Sequence, residues 1–223
     1  MPGEKAAATI SGPQDFAEVF KVPRETIHRL IRYADLLARW QKSTNLVAPS
    51  TLPLLWSRHF ADSAQIRGLA PEARLWLDLG SGAGFPGLVV AILQTGLPDF
   101  RMHLVESNRK KCAFLAEVAR ETKAPVDIHA MRIEELAESA QSLKPEVVSA
   151  RALAPAPRLF ELASPFFGPR TRGLFLKSRE AEAELEAAKA AWDFVACLHP
   201  SLTSSSSHIV EVTALRPRKA SAP

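Results

Sequence analysis

Cysteine is nearly absent from this 223-residue chain: Cys112 and Cys197 are its only two. They lie far apart, form no C-x-x-C pair and suit a reducing compartment, so both read as small hydrophobes. No run approaches the roughly 20 apolar residues needed to cross a bilayer, and the N-terminal MPGEKAAATISGPQDF has no apolar stretch of the kind a secretion signal carries. A cytosolic protein without membrane contact is therefore expected. Neither sign of charge dominates, since 28 Lys and Arg stand against 24 Asp and Glu for a net +4. The sequence pI near 9.3 tolerates a nucleic-acid partner without proving one. There is no H-E-x-x-H, no G-x-S-x-G and no internal repeat, and the six histidines form no metal-ligand cluster, so no metal is expected.

Apolar residues are plentiful, at 47% of the chain, enough for a true core. From Pro23 to Lys42, Ile27, Leu30, Ile31, Ala34, Leu37 and Ala38 recur at helical spacing. A second helix is predicted over 52–69 and a short one over Pro13 to Phe20, which makes the first 70 residues an all-helical extension packed on a core. From Arg74 the pattern changes to short apolar runs alternating with helical stretches: 75–79, 101–106, 126–130, 146–150 and 173–177. Such runs predict a parallel sheet covered on both faces. The last two, 194–200 and 208–215, are separated only by a Ser-rich turn and should pair antiparallel. The expectation is an α/β, Rossmann-like, mostly parallel seven-stranded sheet over 71–215 that closes in an antiparallel hairpin. A short basic tail, 216–223, should fray.

The segment from Asp78 to Gly87, with Gly80, Gly82, Gly84 and Gly87, leaves the first strand and enters a helix. Glycine permits φ > 0 and close approach of a ligand, and a helix N-terminus presents free N–H donors. Pro86 fits a first helical turn. Gly82-x-Gly84-x-x-Gly87, with Glu106 about 20 residues on, also matches a dinucleotide fingerprint. Asp78, the additional Gly80 and the terminal hairpin favour S-adenosylmethionine instead. Glu106, ending the second strand, could accept both ribose hydroxyls, and Ile133-Glu134 after the third strand could hold adenine.

Together LDLGSGAGFPGL, LVESNRKKCAFL, MRIEEL and VVSARALAP resemble the RsmG (GidB) family, whose members methylate a guanine N7 in bacterial small-subunit ribosomal RNA. WQKSTNLVA (40–48) and RHFADSAQI (58–66) extend the resemblance to roughly residues 36–178. SARA (149–152), which carries Arg151, is its more diagnostic element. The resemblance implies cofactor contacts at Gly80, Phe85, Ile133, Glu134 and Arg151, positioning by Arg151 and His59, and substrate contacts at Asn45, His59 and Lys177, the last to RNA phosphate. Arg151 could alternatively pair with Asp78 or Asp62. Partners would be 16S rRNA or the small ribosomal subunit, acted on by a monomer. After Lys177 the match weakens: SRE replaces a glycine-containing turn, and a Ser precedes His208 where relatives carry a basic residue.

Guanine N7 carries a lone pair and no proton, so no general base is expected, and recognition must leave N7 free. The base would be held by its Watson–Crick edge and by stacking, with Phe85 and Trp40 as candidate partners. An NAD-dependent oxidoreductase, a small-molecule or protein methyltransferase and a noncatalytic RNA-binding assembly factor remain alternatives. The cations Arg24, Arg29, Arg32, Arg39, Lys42 and Arg58 of the helical extension favour RNA only weakly.

Overall fold

A computed structural model describes residues 10–140 and 142–218. The first nine residues of the segment read for a targeting signal, and residues 219–223 of the expected tail, lie outside that range. Seven strands form one sheet in the order β3-β2-β1-β4-β5-β7-β6: β1 Leu75–Leu79, β2 Arg101–Val105, β3 Val126–His129, β4 Val147–Arg151, β5 Arg172–Lys177, β6 Trp192–Pro200 and β7 His208–Pro217. The first five run parallel, and β7 lies antiparallel to both β5 and β6. This is the expected Rossmann-like, mostly parallel sheet closed by an antiparallel hairpin.

Alternation along β1 explains the two-sided core. Trp76 packs on one face with Met102 and Leu104, and Leu77 and Leu79 pack on the other with Val105 and Val148. The first face is covered by α2 (Arg24–Trp40), α4 (Gly87–Leu93) and α5 (Arg109–Thr122), after the short α1 (Pro13–Phe20). The second is covered by α6 (Ile133–Ser139), α7 (Ala156–Ala163) and α8 (Ala181–Ala188).

The buried stripe of α2 comprises Ile27, Leu30, Tyr33, Leu36 and Leu37. Polar contacts fix its register on α5: Arg32 pairs Glu121 at 2.9 Å, Trp40 Nε1 donates to Glu117 at 2.7 Å, and Arg29 donates to the Thr122 carbonyl at 3.0 Å. Much of the extension's positive charge is thus matched within the molecule.

Two expectations need correction. The predicted helix over 52–69 is broken into a 3₁₀ segment (Pro49–Leu54), a π turn (Trp56–Ala61), the single turn α3 (Asp62–Ala64) and another 3₁₀ segment (Gln65–Leu69). Pro53, inside the first piece, lacks the N–H that a continuous helix needs. The tail does not fray at Arg216, because β6 begins earlier than read: Trp192 pairs Pro217, Asp193 pairs Arg216, and the Arg218 amide donates to Ala191 O at 2.8 Å.

Candidate active site at the carboxyl ends of the strands

The turn after β1 holds Gly80, Gly82 and Gly84 at φ 66, 57 and 93, and the glycines divide between two tasks. A Cβ on Gly82 would meet nothing nearer than the Gly80 carbonyl at 3.8 Å, so this position opens onto free space. A Cβ on Gly84 would lie 2.5 Å from the Tyr33 hydroxyl and 2.8 Å from Leu88 Cβ, and one on Gly87 would lie 2.6 Å from Asp78 Cβ. Those two are glycines for packing. The expected free donors of the turn are also consumed: Ser81 N donates to Val105 O, Gly84 N and Phe85 N to Ser81 O, and Gly82 N to Glu106 Oε2 at 2.9 Å.

Glu106 is held from both sides, since its Oε1 accepts from Asn108 N at 2.7 Å. A carboxylate offers about four lone-pair sites, so two remain for a diol. The cavity in front of it, about 350 Å³, is walled by Gly80, Gly82, Met131, Ile133, Glu134 and Leu153 among others, a size and mixture suited to one small molecule. Glu134 pairs with Arg158, another residue of the same wall, at 2.6 Å.

A second cavity of about 640 Å³ shares Ala152 and Leu153 with the first. Ala152 holds φ 51, a left-handed conformation costing an L-residue roughly 1–2 kcal/mol, and it forms part of the partition between the two. On the far wall Arg151, from the end of β4, donates to His59 Nδ1 at 2.9 Å and Arg58 O at 3.1 Å, and lies 3.7 Å from Asp62. Its guanidinium carbon stands 4.8 Å over the Phe85 ring. The π turn points Arg58, His59 and nearby Asp62 into this cavity. Burial, reinforced by Arg151 and Arg58, lowers the His59 pKa to about 3. His59 is therefore neutral, and with Nδ1 accepting from Arg151, its Nε2–H donates to Thr51 Oγ1 at 2.8 Å.

Asp78 lies beneath the turn. It is fully buried, accepts from Ser149 Oγ at 2.7 Å, and has its pKa raised by burial to about 6.

Of the residues read as cofactor contacts, Gly80, Gly82, Glu106, Ile133 and Glu134 line the smaller cavity, and Arg151 lines the larger. Asp78, Gly84 and Phe85 line neither. Phe85 is instead core, 3% exposed and stacked on Tyr33 at 5.4 Å, and Trp40 packs on Phe114; neither is offered as a stacking surface. Asn45 is exposed on the loop organised by Gln41 and lines neither cavity. Lys177 lines the larger cavity with its charge matched by Glu184 at 2.7 Å, which weakens the phosphate reading.

The sequence reading passed over Tyr33, Thr51, Ser149, Glu184 and Thr203. Tyr33, the only tyrosine, donates its hydroxyl to the Ala83 carbonyl and so ties α2 to the glycine turn. Ser149 lies within SARA but was given no role of its own; Thr51, Glu184 and Thr203 carried no local signal, and Glu184, in AEAELEAA, reads as one acid on a solvated helix.

The model of the GidB family, rRNA small subunit methyltransferase G, matches residues 26–211. The Ribosomal RNA small subunit methyltransferase G of Parvibaculum lavamentivorans is 51% identical over 210 residues, covering 92% of each chain. That of Methylobacterium sp. (strain 4-46) is 51% identical over 195 residues, 87% of this chain and 91% of its own. Among solved structures, Aeropyrum pernix fibrillarin with natively bound S-adenosyl-L-methionine aligns with a TM-score of 0.51 at 16% identity, covering 68% of this chain and 73% of that one. A mutant of MtNAS in complex with S-adenosylmethionine aligns at 0.55 and 12% identity, covering 94% and 85%; both likenesses concern the fold. With the family model spanning most of the chain and half of the aligned positions identical to those relatives, the chain belongs to the rRNA small subunit methyltransferase G family.

Proposed function

We propose that this protein transfers the methyl group of S-adenosylmethionine to N7 of a guanine in small-subunit ribosomal RNA, acting as a cytoplasmic monomer. Family membership supports the reaction and the RNA. The observation that carries the cofactor assignment is the bond from Gly82 N to Glu106 Oε2, at 2.9 Å. It uses an amide of the glycine turn that the diphosphate of a dinucleotide would need. The same arrangement suits a neutral ribose, whose two hydroxyls find the remaining lone pairs of Glu106. Ile133, 8% exposed, gives the adenine an apolar wall, and Gly82 leaves the backbone bare at the ligand.

S-adenosylmethionine supplies an already activated sulfonium methyl. The chain's part is to hold the acceptor in line, and such positioning can account for about 7–11 kcal/mol of barrier. Arg151, fixed by His59, the Arg58 carbonyl and Asp62, gives the larger cavity a rigid cationic wall. His59 stays neutral and supplies structure, because N7 has no proton to surrender. Ala152 and Leu153 line both cavities, so the two adjoin there, and donor and acceptor would meet beside these residues.

The test is transfer of labelled methyl to small subunits from cells lacking the gene, followed by nucleoside analysis. The expected product is 7-methylguanosine. A methyl on another atom would refute the acceptor, and binding of NAD with no binding of S-adenosylmethionine would refute the cofactor.

A further inference from the structure

One wall of the larger cavity carries an ion pair with unused hydrogen-bonding capacity. Lys177 Nζ donates to the Ala154 carbonyl at 2.6 Å and to Glu184 Oε2 at 2.7 Å. Glu184 Oε2 also accepts from Ala156 N at 2.8 Å. Both side chains are largely enclosed, 12% and 20% exposed. An ammonium has three protons, and two are taken. Among the described residues no hydrogen bond reaches Glu184 Oε1. The pair thus offers one N–H and, beside it, one carboxylate oxygen, both anchored to the backbone between β4 and α7. Asp62, the other carboxylate in this cavity, is already engaged: Gln65 and Thr203 donate to its Oδ1, each at 3.0 Å, and Arg151 faces its Oδ2.

Guanine presents on its Watson–Crick edge the acceptor O6 beside the donor N1–H. Adenine presents the reverse, a donor N6 amine beside the acceptor N1, and would set donor against Lys177 and acceptor against Glu184. We infer that the Lys177–Glu184 pair selects the target base, Nζ donating to O6 and Oε1 accepting from N1–H. The inference rests on the guanine-N7 reading above. It satisfies that reading's main constraint, because contacts at O6 and N1 leave the N7 lone pair without a donor. It also explains why Lys177, neutralised and enclosed, is placed poorly for phosphate yet well for a base.

The experiment uses the full chain, small subunits lacking the methyl group, and two substitutions, E184Q and K177M. E184Q keeps the shape but turns an amide donor or a neutral oxygen toward the base. It should lower kcat/KM on small subunits by about 10- to 150-fold, the range for losing a charge-assisted hydrogen bond, while calorimetric binding of S-adenosylmethionine stays within about twofold. K177M should lower kcat/KM with cofactor binding equally spared. As competitive inhibitors of the wild type, guanosine 5′-monophosphate should exceed both adenosine 5′-monophosphate and 1-methylguanosine 5′-monophosphate by at least about tenfold. That arm decides the matter if E184Q does not fold. Equal inhibition by the three nucleotides, or a folded E184Q with unchanged kcat/KM or with equally weakened cofactor binding, would overturn the role of the pair. If wild type instead forms no 7-methylguanosine, the guanine reading itself fails and takes this inference with it.

Discussion

His59 should make the protein's stability pH-dependent in a way that one substitution exposes. Its pKa falls from 6.5 to about 3 on folding, so the folded state refuses a proton that the unfolded chain takes. The sign follows from linkage: a depressed pKa contributes stability that is present above about pH 6.5 and is lost as pH falls toward 3. At about 1.36 kcal/mol per unit, the loss between pH 7 and pH 5 is about 2 kcal/mol. Asp78 opposes it. Its pKa rises from 3.8 to about 6, so its contribution is full below 3.8 and is lost as pH rises through 6; lowering the pH from 7 to 5 restores about 1 kcal/mol of it. The wild-type curve will therefore understate the histidine.

The difference from a His59→Asn variant isolates it. Asparagine Oδ1 can replace Nδ1 as the acceptor for Arg151 but has no titration in this range. Urea unfolding at pH 5, 6 and 7, followed by the fluorescence of the four tryptophans, should show the wild type losing about 2 kcal/mol relative to the variant from pH 7 to 5. Parallel curves would mean that His59 is accessible to protons and that its bond with Arg151 does not hold it neutral.

Four other outcomes are expected. The single-turnover methyl-transfer rate should be nearly flat from about pH 6 to 9 by rapid quench, since neither N7 nor His59 titrates there; a tenfold rise per unit would implicate a base. Glu106→Ala should weaken S-adenosylmethionine binding about 10- to 150-fold by calorimetry, and unchanged affinity would remove Glu106 from the site. Gly82→Ala should fold and lose cofactor affinity, whereas Gly84→Ala should lose stability against Tyr33 and Leu88; identical behaviour in melting and binding would refute the division of tasks. Gln65→Ala orphans Leu202 N, now bonded at 2.8 Å, and should cost about 1–3 kcal/mol and speed proteolysis within 201–207 while sparing cofactor binding.

The fold was legible where chemistry is local. Continuous apolar runs fixed five parallel strands to within a residue or two, and the Ser-rich turn announced the antiparallel pair. The glycine turn with Glu106 was legible because backbone freedom and a strand-end acid are properties of sequence neighbours. What spacing could not tell was which glycine opens onto free space: Gly82 and Gly84 share a left-handed φ, and they differ because Tyr33, about fifty positions away, and Leu88 pack against Gly84. Arg151 was placed correctly at the strand end, with Asp62 named among its possible partners, but His59 and the Arg58 carbonyl reach it from a π turn that a regular helical period would not produce.

Several polar groups of the larger cavity are held in fixed pairs. Arg151 is balanced by Asp62, Lys177 by Glu184, and His59 is neutral between an Arg donor and a Thr acceptor. A reaction needing a proton acceptor would require one of these groups to titrate near neutrality, and the neighbours of His59 move it the other way. Alkylation of a lone pair has the opposite requirement: nothing in the chamber should compete for the methyl group or protonate N7. His59, buried and held neutral by Arg151, meets that requirement, so on the proposed guanine-N7 reading its low pKa serves the acceptor as much as the packing of the π turn.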